Sequence, residues 1–359
     1  MDVQLLNIIK DFCEPFLETF LIFMTSYFAT NTINTAYSLH KDFKPKDFSK
    51  VDIPIELKKK YTDIEIEQIG SEKVKEAVLE FVDVLKTKFP QDALINFYNN
   101  VNEVKIKRKN SIFMLGWSGV YYPKNNKIEY QKFISIYHEL FHMASSVYDS
   151  ESNMDHVGFR QVCYDQDSNF KFCIGAGINE GYTELLTLRY FGKKHKVINS
   201  YKFEVSIAEK LEKIVGEEEM KRLYLNANLP DLIENLKQYA SEEDIVNFIS
   251  AVDFMLNHSS DLFLLSHNKI KTSLTNIYNF LLKAYITKLK QQVETGIITI
   301  NEFLEQSTEF IKSLGTSIKL GGYNYEYLTK DTLRDNLENV SNISEQYNIN
   351  KENPNSYTR

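Results

Sequence analysis

The 359-residue sequence predicts an α+β fold, with a small sheet and two helices in the middle of the chain and a largely helical C-terminal half. Short β-rich segments separated by turn residues lie between positions 103 and 130, among them EVKIK and IFMLGWSGVYY. Apolar residues recur at helical spacing through most of positions 201–314. Hydrophobic residues make up 43% of the chain and charged residues 25%, a composition typical of globular proteins with a sizeable core.

The elements before the C-terminal half alternate between helix and sheet. Positions 73–88 carry apolar residues at helical spacing and stop before a proline, which indicates a helix. Two or three strands with a hairpin at positions 125–126 follow, and then a helix over about 131–148. A second hairpin is expected across positions 159–174, and another helix begins near Gly177.

The C-terminal half is expected to consist of amphipathic helices at 202–215, 217–225, 230–239, 242–257, 269–294 and 300–314. The chain therefore divides into an N-terminal helical segment with its connector (1–50), an α+β core (51–200) and a helical subdomain (201–345). A polar segment at 346–359 is expected to be a flexible tail.

Charge and cysteine content exclude several classes of protein. The net charge of -7 argues against a general nucleic-acid binder, which needs a basic surface. Three cysteines do not make a disulfide framework. Cys163 and Cys173 would face each other across the second hairpin, where two buried thiols are expected and a disulfide is geometrically possible.

The N-terminal stretch at positions 16–29 is strongly apolar but shorter than the about 20 residues that a membrane-spanning helix needs. Acidic residues surround Lys10, whereas a secretory signal begins with positive charge. A buried helix, a cytoplasmic location and no membrane association are therefore expected. A membrane-associated or atypically exported segment is the alternative.

The run HELFH at positions 138–142 lies inside one of the expected helices. A spacing of four places His138 and His142 on one helix face, one turn apart, which suits two ligands of a tetrahedral zinc ion. Glu139 lies beside them and can reach a water molecule in the open site, whose pKa zinc lowers to about 7. Two buried histidines on a packed helix are the alternative, but these histidines flank the apolar stripe rather than continue it.

A catalytic zinc site needs a third protein ligand, for which Glu180 in GINEGYTELLT is the main candidate and His156 a second one. Glu184 follows Glu180 by one turn, and like charges at that spacing destabilise an exposed helix by about 0.2–0.5 kcal/mol. A nearby cation would remove this penalty. Glu180 is therefore expected to bind the metal, and Glu184 to accept a hydrogen bond from the outer N–H of a liganding histidine. Both glutamates on a solvated face are the alternative.

HELFH followed downstream by NEG in a helix resembles the gluzincin metallopeptidases, a group that includes thermolysin and the aminopeptidase-N-like enzymes. The resemblance covers positions 112–191 and implies a zincin-like catalytic core, with Glu180 as third zinc ligand and Glu184 supporting a histidine. No proton donor stands at a recognisable spacing from the motifs. The candidates are Tyr182, Tyr190, Tyr201, Tyr224, His195, His258 and His267.

The resemblance also implies that the strand at positions 112–122 is a sheet edge that pairs with an extended substrate. Gly116, Trp117, Ser118 and Gly119 would then face the cleft and bind a peptide by β-augmentation. A core strand with the tryptophan packed inside is the alternative.

The sequence as a whole predicts a zinc-dependent metallopeptidase that hydrolyses peptides or proteins, with Glu139 as the general base. A catalytically silent zincin-fold module that binds a peptide or protein is one alternative. A zinc hydrolase with a non-peptide substrate is another, because the chemistry that activates water is the same.

Overall fold

The computed structural model describes residues 71–109, 118–149, 152–165, 169–197, 200–258, 267–320 and 323–352. The expectations for residues 1–50, for Gly116 and for Trp117 lie outside these residues. The described chain is α+β, with small sheets among many helices, which confirms the predicted fold class. Within it, none of the helices combines the length and apolarity that crossing a membrane requires.

The first elements build a small sheet with helices packed on it. Helix α1 (Glu72–Lys88) has the boundaries that the apolar spacing predicts, and α2 (Ile95–Val101) follows it. Strands β1 (Lys105–Arg108), β2 (Gly119–Tyr122) and β3 (Lys127–Tyr130) form a sheet in the order β1-β3-β2. Strand β1 is parallel to β3 and β2 is antiparallel to it, so β2 lies at an edge of this sheet.

Helix α3 (Ile136–Ala144) carries the HELFH run and is buried along its whole length. The sequence expectation of a helix reaching position 148 is wrong, because the chain leaves the helix at Ser145 and enters strand β4 (Ser146–Asp149). Val147 and Tyr148 favour strand, and β4 gains a complete ladder of pairs with the next strand. This tertiary pairing overrides the helical periodicity of the segment.

A second sheet follows, formed by successive antiparallel strands β4, β5 (Met154–Val157), β6 (Arg160–Tyr164) and β7 (Phe170–Ile174). The predicted hairpin is confirmed as β6 and β7, whereas β4 and β5 were not predicted.

The two cysteines of this hairpin do not face each other. Cys163 pairs with Phe172 and Cys173 pairs with Val162, so the two half-buried thiols point to opposite faces of the sheet and form no disulfide with each other. A register shifted by one residue moves a side chain to the other face.

Helix α4 (Ala176–Thr187) carries the NEG run and continues into a π-helical segment, Leu188–Gly192. The C-terminal half then agrees with the expected helices to within three residues at each end. It also contains a hairpin and a last helix that were not predicted. In order, these elements are α5 (Lys202–Val215), α6 (Glu217–Leu225), α7 (Leu229–Leu236), α8 (Glu242–His258), α9 (His267–Glu294), α10 (Ile300–Leu314), β8 (Ser317–Leu320), β9 (Tyr323–Glu326) and α11 (Lys330–Glu352).

One hydrophobic core joins the two halves of the described chain. The core runs from Val74 on α1 to Val340 on α11 and crosses the boundary expected at position 200. Helix α11 continues to Glu352, so residues 346–352 of the segment expected to be a tail are helical. Helix α4 packs against α3, α5 and α8, which places it at the junction of the sheets and the helical half.

Candidate metal centre

Helices α3 and α4 bring together the three side chains that the sequence singles out as metal ligands. His138 and His142 come from α3 and Glu180 from α4, and one ligand atom from each lies within 4.8 Å of the other two. Both histidines are buried, and the Glu180 side chain is 13% exposed. Because α3 and α4 pack directly against each other, two motifs that are far apart in sequence meet at one point.

The spacing of the three ligand atoms fits a tetrahedral zinc ion. Nε2 of His138 lies 3.0 Å from Nε2 of His142 and 3.2 Å from Glu180 Oε2, and His142 Nε2 lies 3.5 Å from Glu180 Oε1. Zinc bonds of about 2.0–2.1 Å in a tetrahedron separate neighbouring ligand atoms by about 3.3 Å. The three distances scatter around this value, so the donor set matches zinc in both chemistry and size.

Glu184 fixes the orientation of the first imidazole. Its Oε2 lies 2.9 Å from Nδ1 of His138, and its Oε1 accepts a hydrogen bond from the backbone N–H of Ser200 at 3.0 Å. When Nδ1 carries the proton and donates a hydrogen bond to Glu184, Nε2 keeps a lone pair that can bind a metal ion.

The second imidazole is held by side chains of α4. Nδ1 of His142 lies 3.5 Å from the hydroxyl oxygen of Thr183 and 3.4 Å from Nδ2 of Asn179. In the tautomer that leaves Nε2 free, the Nδ1–H donates to Thr183. The Thr183 hydroxyl also lies 2.7 Å from the hydroxyl of Tyr224, which extends the buried polar network to α6.

Glu139 is not one of the three residues His138, His142 and Glu180, which we call the ligand triangle. It instead faces the edge strand β2. The backbone N–H of Tyr121 donates a hydrogen bond to its carboxylate, and burial raises its pKa to about 7. The strand approaches so closely that a Cβ on Gly119 would lie 2.8 Å from Glu139 Oε1. The carboxylate therefore lies between the ligand triangle and strand β2.

Three carboxylates surround the two imidazoles of the site and set their charge states. Burial alone would lower the pKa of His138, but hydrogen bonds to Glu180 and Glu184 raise it to about 10. Burial lowers the pKa of His142 to about 4. Burial opposes ionisation of Glu180, yet the two imidazoles hold its pKa well below the usual range. Three carboxylates converging on two imidazoles in a buried place favour a bound cation.

Close helix packing sets the position of Glu180. A Cβ on Gly181 would lie 2.3 Å from the backbone oxygen of Glu204 on α5, so α4 and α5 touch through their backbones there. The close neighbour of Gly181 is therefore α5 and not the HELFH helix α3. At the start of α4, the backbone N–H groups of Gly175 and Gly177 donate to Asp253 on α8, both at 2.8 Å.

Of the residues expected to bind substrate, Gly119 lies on β2 beside Glu139. Ser118 precedes the strand, and its carbonyl accepts a hydrogen bond from the Ser135 hydroxyl at 2.7 Å. His156, the second candidate for the third ligand, lies on β5 opposite Gln161 and outside the group of potential ligands.

Tyr201 is the candidate proton donor that lies at the site. Its ring stacks on His138 with centroids 5.7 Å apart, and its hydroxyl hydrogen-bonds to Glu180, whose charge raises the pKa of the phenol. Other candidates are engaged elsewhere. Tyr182 donates to Glu212, and His195 lies 3.0 Å from the Glu80 carboxylate. The side chain of His258 is outside the described residues.

Sequence reasoning did not single out Arg160, which begins β6 close to Glu139 and His142, and no motif marks it. The register of β5 and β6 is the signal that places it there.

Comparison of the chain with protein-family models, with curated proteins and with solved structures finds no match. The geometry of the site therefore carries the functional argument.

Proposed function

We propose that this protein is a zinc-dependent metallopeptidase of the gluzincin type, with a zincin-like catalytic core built on α3, α4 and the sheet of β1 to β3. One observation carries the proposal. Nε2 of His138 and Nε2 of His142 lie 3.0 Å apart, and Oε2 and Oε1 of Glu180 lie 3.2 and 3.5 Å from them respectively, close to the spacing of ligand atoms around tetrahedral zinc. The buried carboxylate of Glu139 stands beside this triangle without being part of it.

In this proposal His138, His142 and Glu180 hold the zinc ion. When bound, zinc supplies a Lewis acid that polarises a carbonyl and lowers the pKa of water. The Glu139 carboxylate, fixed by the N–H of Tyr121, takes a proton from the attacking water and returns it to the leaving amine. Glu184 keeps the proton of His138 on Nδ1, which leaves Nε2 as the ligand atom.

The edge strand supports a peptide as the substrate. Among the described strands, β2 pairs only with β3, and the N–H of Tyr121 donates a hydrogen bond to Glu139. An extended peptide that pairs with the other edge of β2 would pass its backbone along the general base. Gly119 leaves the space that such a peptide and the Glu139 carboxylate share.

Tyr201 is the group that we assign to stabilise charge on the substrate. Its ring is fixed on His138, and its hydroxyl reaches Glu180 in the ligand triangle. A hydroxyl at that position can donate a hydrogen bond to the oxygen on which negative charge develops during hydrolysis.

Zinc content and peptide cleavage test the proposal together. Protein purified without added metal should contain about one zinc per chain, and the Glu180→Gln variant should lose most of it, because two remaining ligands hold zinc poorly. His156→Gln is the matched control, because it removes a buried histidine of β5 that is not in the ligand group, and it should keep its zinc.

The same preparations are incubated with a broad peptide library, and the products are identified by mass spectrometry. Cleavage that depends on zinc supports a peptidase. A zinc-free protein that takes up no zinc contradicts the metal site itself. Zinc-loaded protein that binds peptides without cutting any of them would instead indicate a silent binding module.

A further inference from the structure

Arg160 is placed by the same two helices that carry the ligand triangle. It begins β6 directly after the tight turn that joins β5 to β6, and it pairs with Val157. The turn is fixed at two points. The N–H of Gly158 donates to the carbonyl of Ser145 at the end of α3, at 2.8 Å, and the N–H of Phe159 donates to Asn179 Oδ1 on α4, at 3.1 Å. Arg160 is therefore anchored beside the site.

The side chain of Arg160 lies on the face of the second sheet that meets the edge strand β2. Residues paired across antiparallel strands share a face, so Arg160 lies on the face of Val157 and Ser146. The Tyr121 side chain of the edge strand hydrogen-bonds to Ser146, which brings β2 against this face. The positive charge of Arg160 interacts electrostatically with Glu139 and His142 and contributes to lowering the pKa of each.

No protein carboxylate forms an ion pair with this guanidinium within the part of the chain that the structure describes, although its charge lowers the pKa of Asp155 and of Glu139. Arg160 forms no ion pair there, and its buried Nε has no hydrogen-bond partner. Asp155 lies on the same face but accepts a hydrogen bond from the Tyr164 hydroxyl at 2.9 Å instead. A half-buried guanidinium that makes no direct ion pair keeps its hydrogen-bonding capacity for a ligand, and its planar fork fits a carboxylate with two parallel hydrogen bonds.

We propose that Arg160 binds a carboxylate of the peptide substrate, so that the enzyme prefers peptides with a negative charge close to the scissile bond. This inference rests on the proposed peptidase function and names its substrate class. The carboxylate belongs either to an aspartate or glutamate side chain or to the C-terminus of the peptide, and the guanidinium recognises both by the same chemistry.

The test uses zinc-loaded full-length protein and matched peptides built on a sequence that the library digest finds to be cut. One pair differs by aspartate or asparagine at each position flanking the cleaved bond, and a second pair by a free or amidated C-terminus. The measured quantity is the ratio of kcat/KM between the acidic and the neutral member of each pair. Hydrogen bonds to a charged partner predict a ratio of about 10- to 100-fold in one of the two pairs.

Arg160→Gln should bring that ratio close to one while the zinc content stays at the wild-type level. Arg160→Lys should restore only part of it, because an ammonium group lacks the planar fork. Lys171→Gln removes a positive charge from an exposed position of the same sheet, and it should keep the ratio.

The outcomes separate this inference from the proposed function. Zinc-dependent cleavage with ratios near one in both pairs, or a ratio that survives Arg160→Gln, overturns the role of Arg160 and leaves the peptidase standing. A preference for the aspartate peptide identifies an acidic side chain as the ligand, and a preference for the free C-terminus identifies a carboxypeptidase-like mode. Zinc-loaded protein that cuts no peptide overturns both proposals.

Discussion

Replacement of Gly181 by alanine tests whether the contact between α4 and α5 sets the position of Glu180, the proposed third metal ligand. An added Cβ would lie 2.3 Å from the backbone oxygen of Glu204 and 2.5 Å from its carbonyl carbon. Favourable contacts between such atoms lie at about 3.5 Å, so the two helices must separate by about 1 Å. The obstacle is backbone, which cannot rotate away as a side chain can.

The energetic cost follows from these distances. Overpacking of this kind costs about 1–3 kcal/mol, and the higher helix propensity of alanine returns about 1 kcal/mol. We expect Gly181→Ala to lower the free energy of unfolding by up to about 2 kcal/mol. Because residue 181 adjoins Glu180, a shift of about 1 Å should also lower turnover by about 10²-fold.

Gly192→Ala provides the matched control. A Cβ at Gly192 would lie 3.6 Å from Leu188 Cδ2, an ordinary contact, so this variant should be as stable as wild type or slightly more stable. Urea unfolding of zinc-free protein measures stability, and competition with a chelator measures zinc affinity. If Gly181→Ala and Gly192→Ala have the same unfolding free energy and the same zinc affinity, the contact between α4 and α5 does not set the position of Glu180.

Three further predictions concern single side chains around the site. Glu184→Gln should weaken zinc binding or activity by about 10- to 100-fold, and unchanged affinity and turnover would show that its bond to the imidazole has no such role. Tyr201→Phe should keep the zinc but lower kcat by about 10²-fold, and an equal kcat would exclude charge stabilisation by the phenol. Burial raises the pKa of Asp253 from 3.8 to about 7, so the folded protein binds this proton more tightly than the unfolded chain. The stability from this group is present below pH 3.8 and is lost as pH rises through about 7, by at most about 4 kcal/mol. Asp253→Asn should reduce the loss of unfolding free energy between pH 5 and pH 8, as measured by urea unfolding. An unchanged dependence of unfolding free energy on pH would show that Asp253 does not cause it.

The ligand residues could be named from the sequence because their chemistry is local. The spacing of His138 and His142 follows from the helical repeat alone, and α3 and α4 needed only to exist as helices for the geometry to be plausible. The helices of the C-terminal half could also be predicted from the sequence, since their apolar periodicity is long and regular.

The missed features depend on contacts between distant segments. Strand β4 exists because β5 pairs with it, although the residues before it continue a helical pattern. The two cysteines point apart because the register of β6 and β7 differs by one residue from the symmetric pairing. Gly181 contacts α5 rather than α3, and the sequence does not indicate this because it depends on how α3, α4 and α5 pack together.

The same limit applies to the substrate side of the site. Tyr201 was one of seven candidates because no spacing rule selects it, and its place on His138 follows from the connection between α4 and α5. Arg160 carries no motif, and its position depends on a turn that Ser145 and Asn179 hold from two different helices.

The central claim is that Glu139 acts as the base in a zinc-dependent cleavage of peptides, and Glu139→Gln tests it most directly. Glutamine keeps the shape of the side chain, and residue 139 is outside the ligand triangle, so zinc content and fold should match wild type. The measurement is kcat and KM for one cleaved peptide at equal zinc content. We predict that kcat falls by about 10²–10⁴-fold with a similar KM, because the base acts mainly in the transition state. Zinc-loaded Glu139→Gln that cleaves the peptide at the wild-type rate would contradict the account.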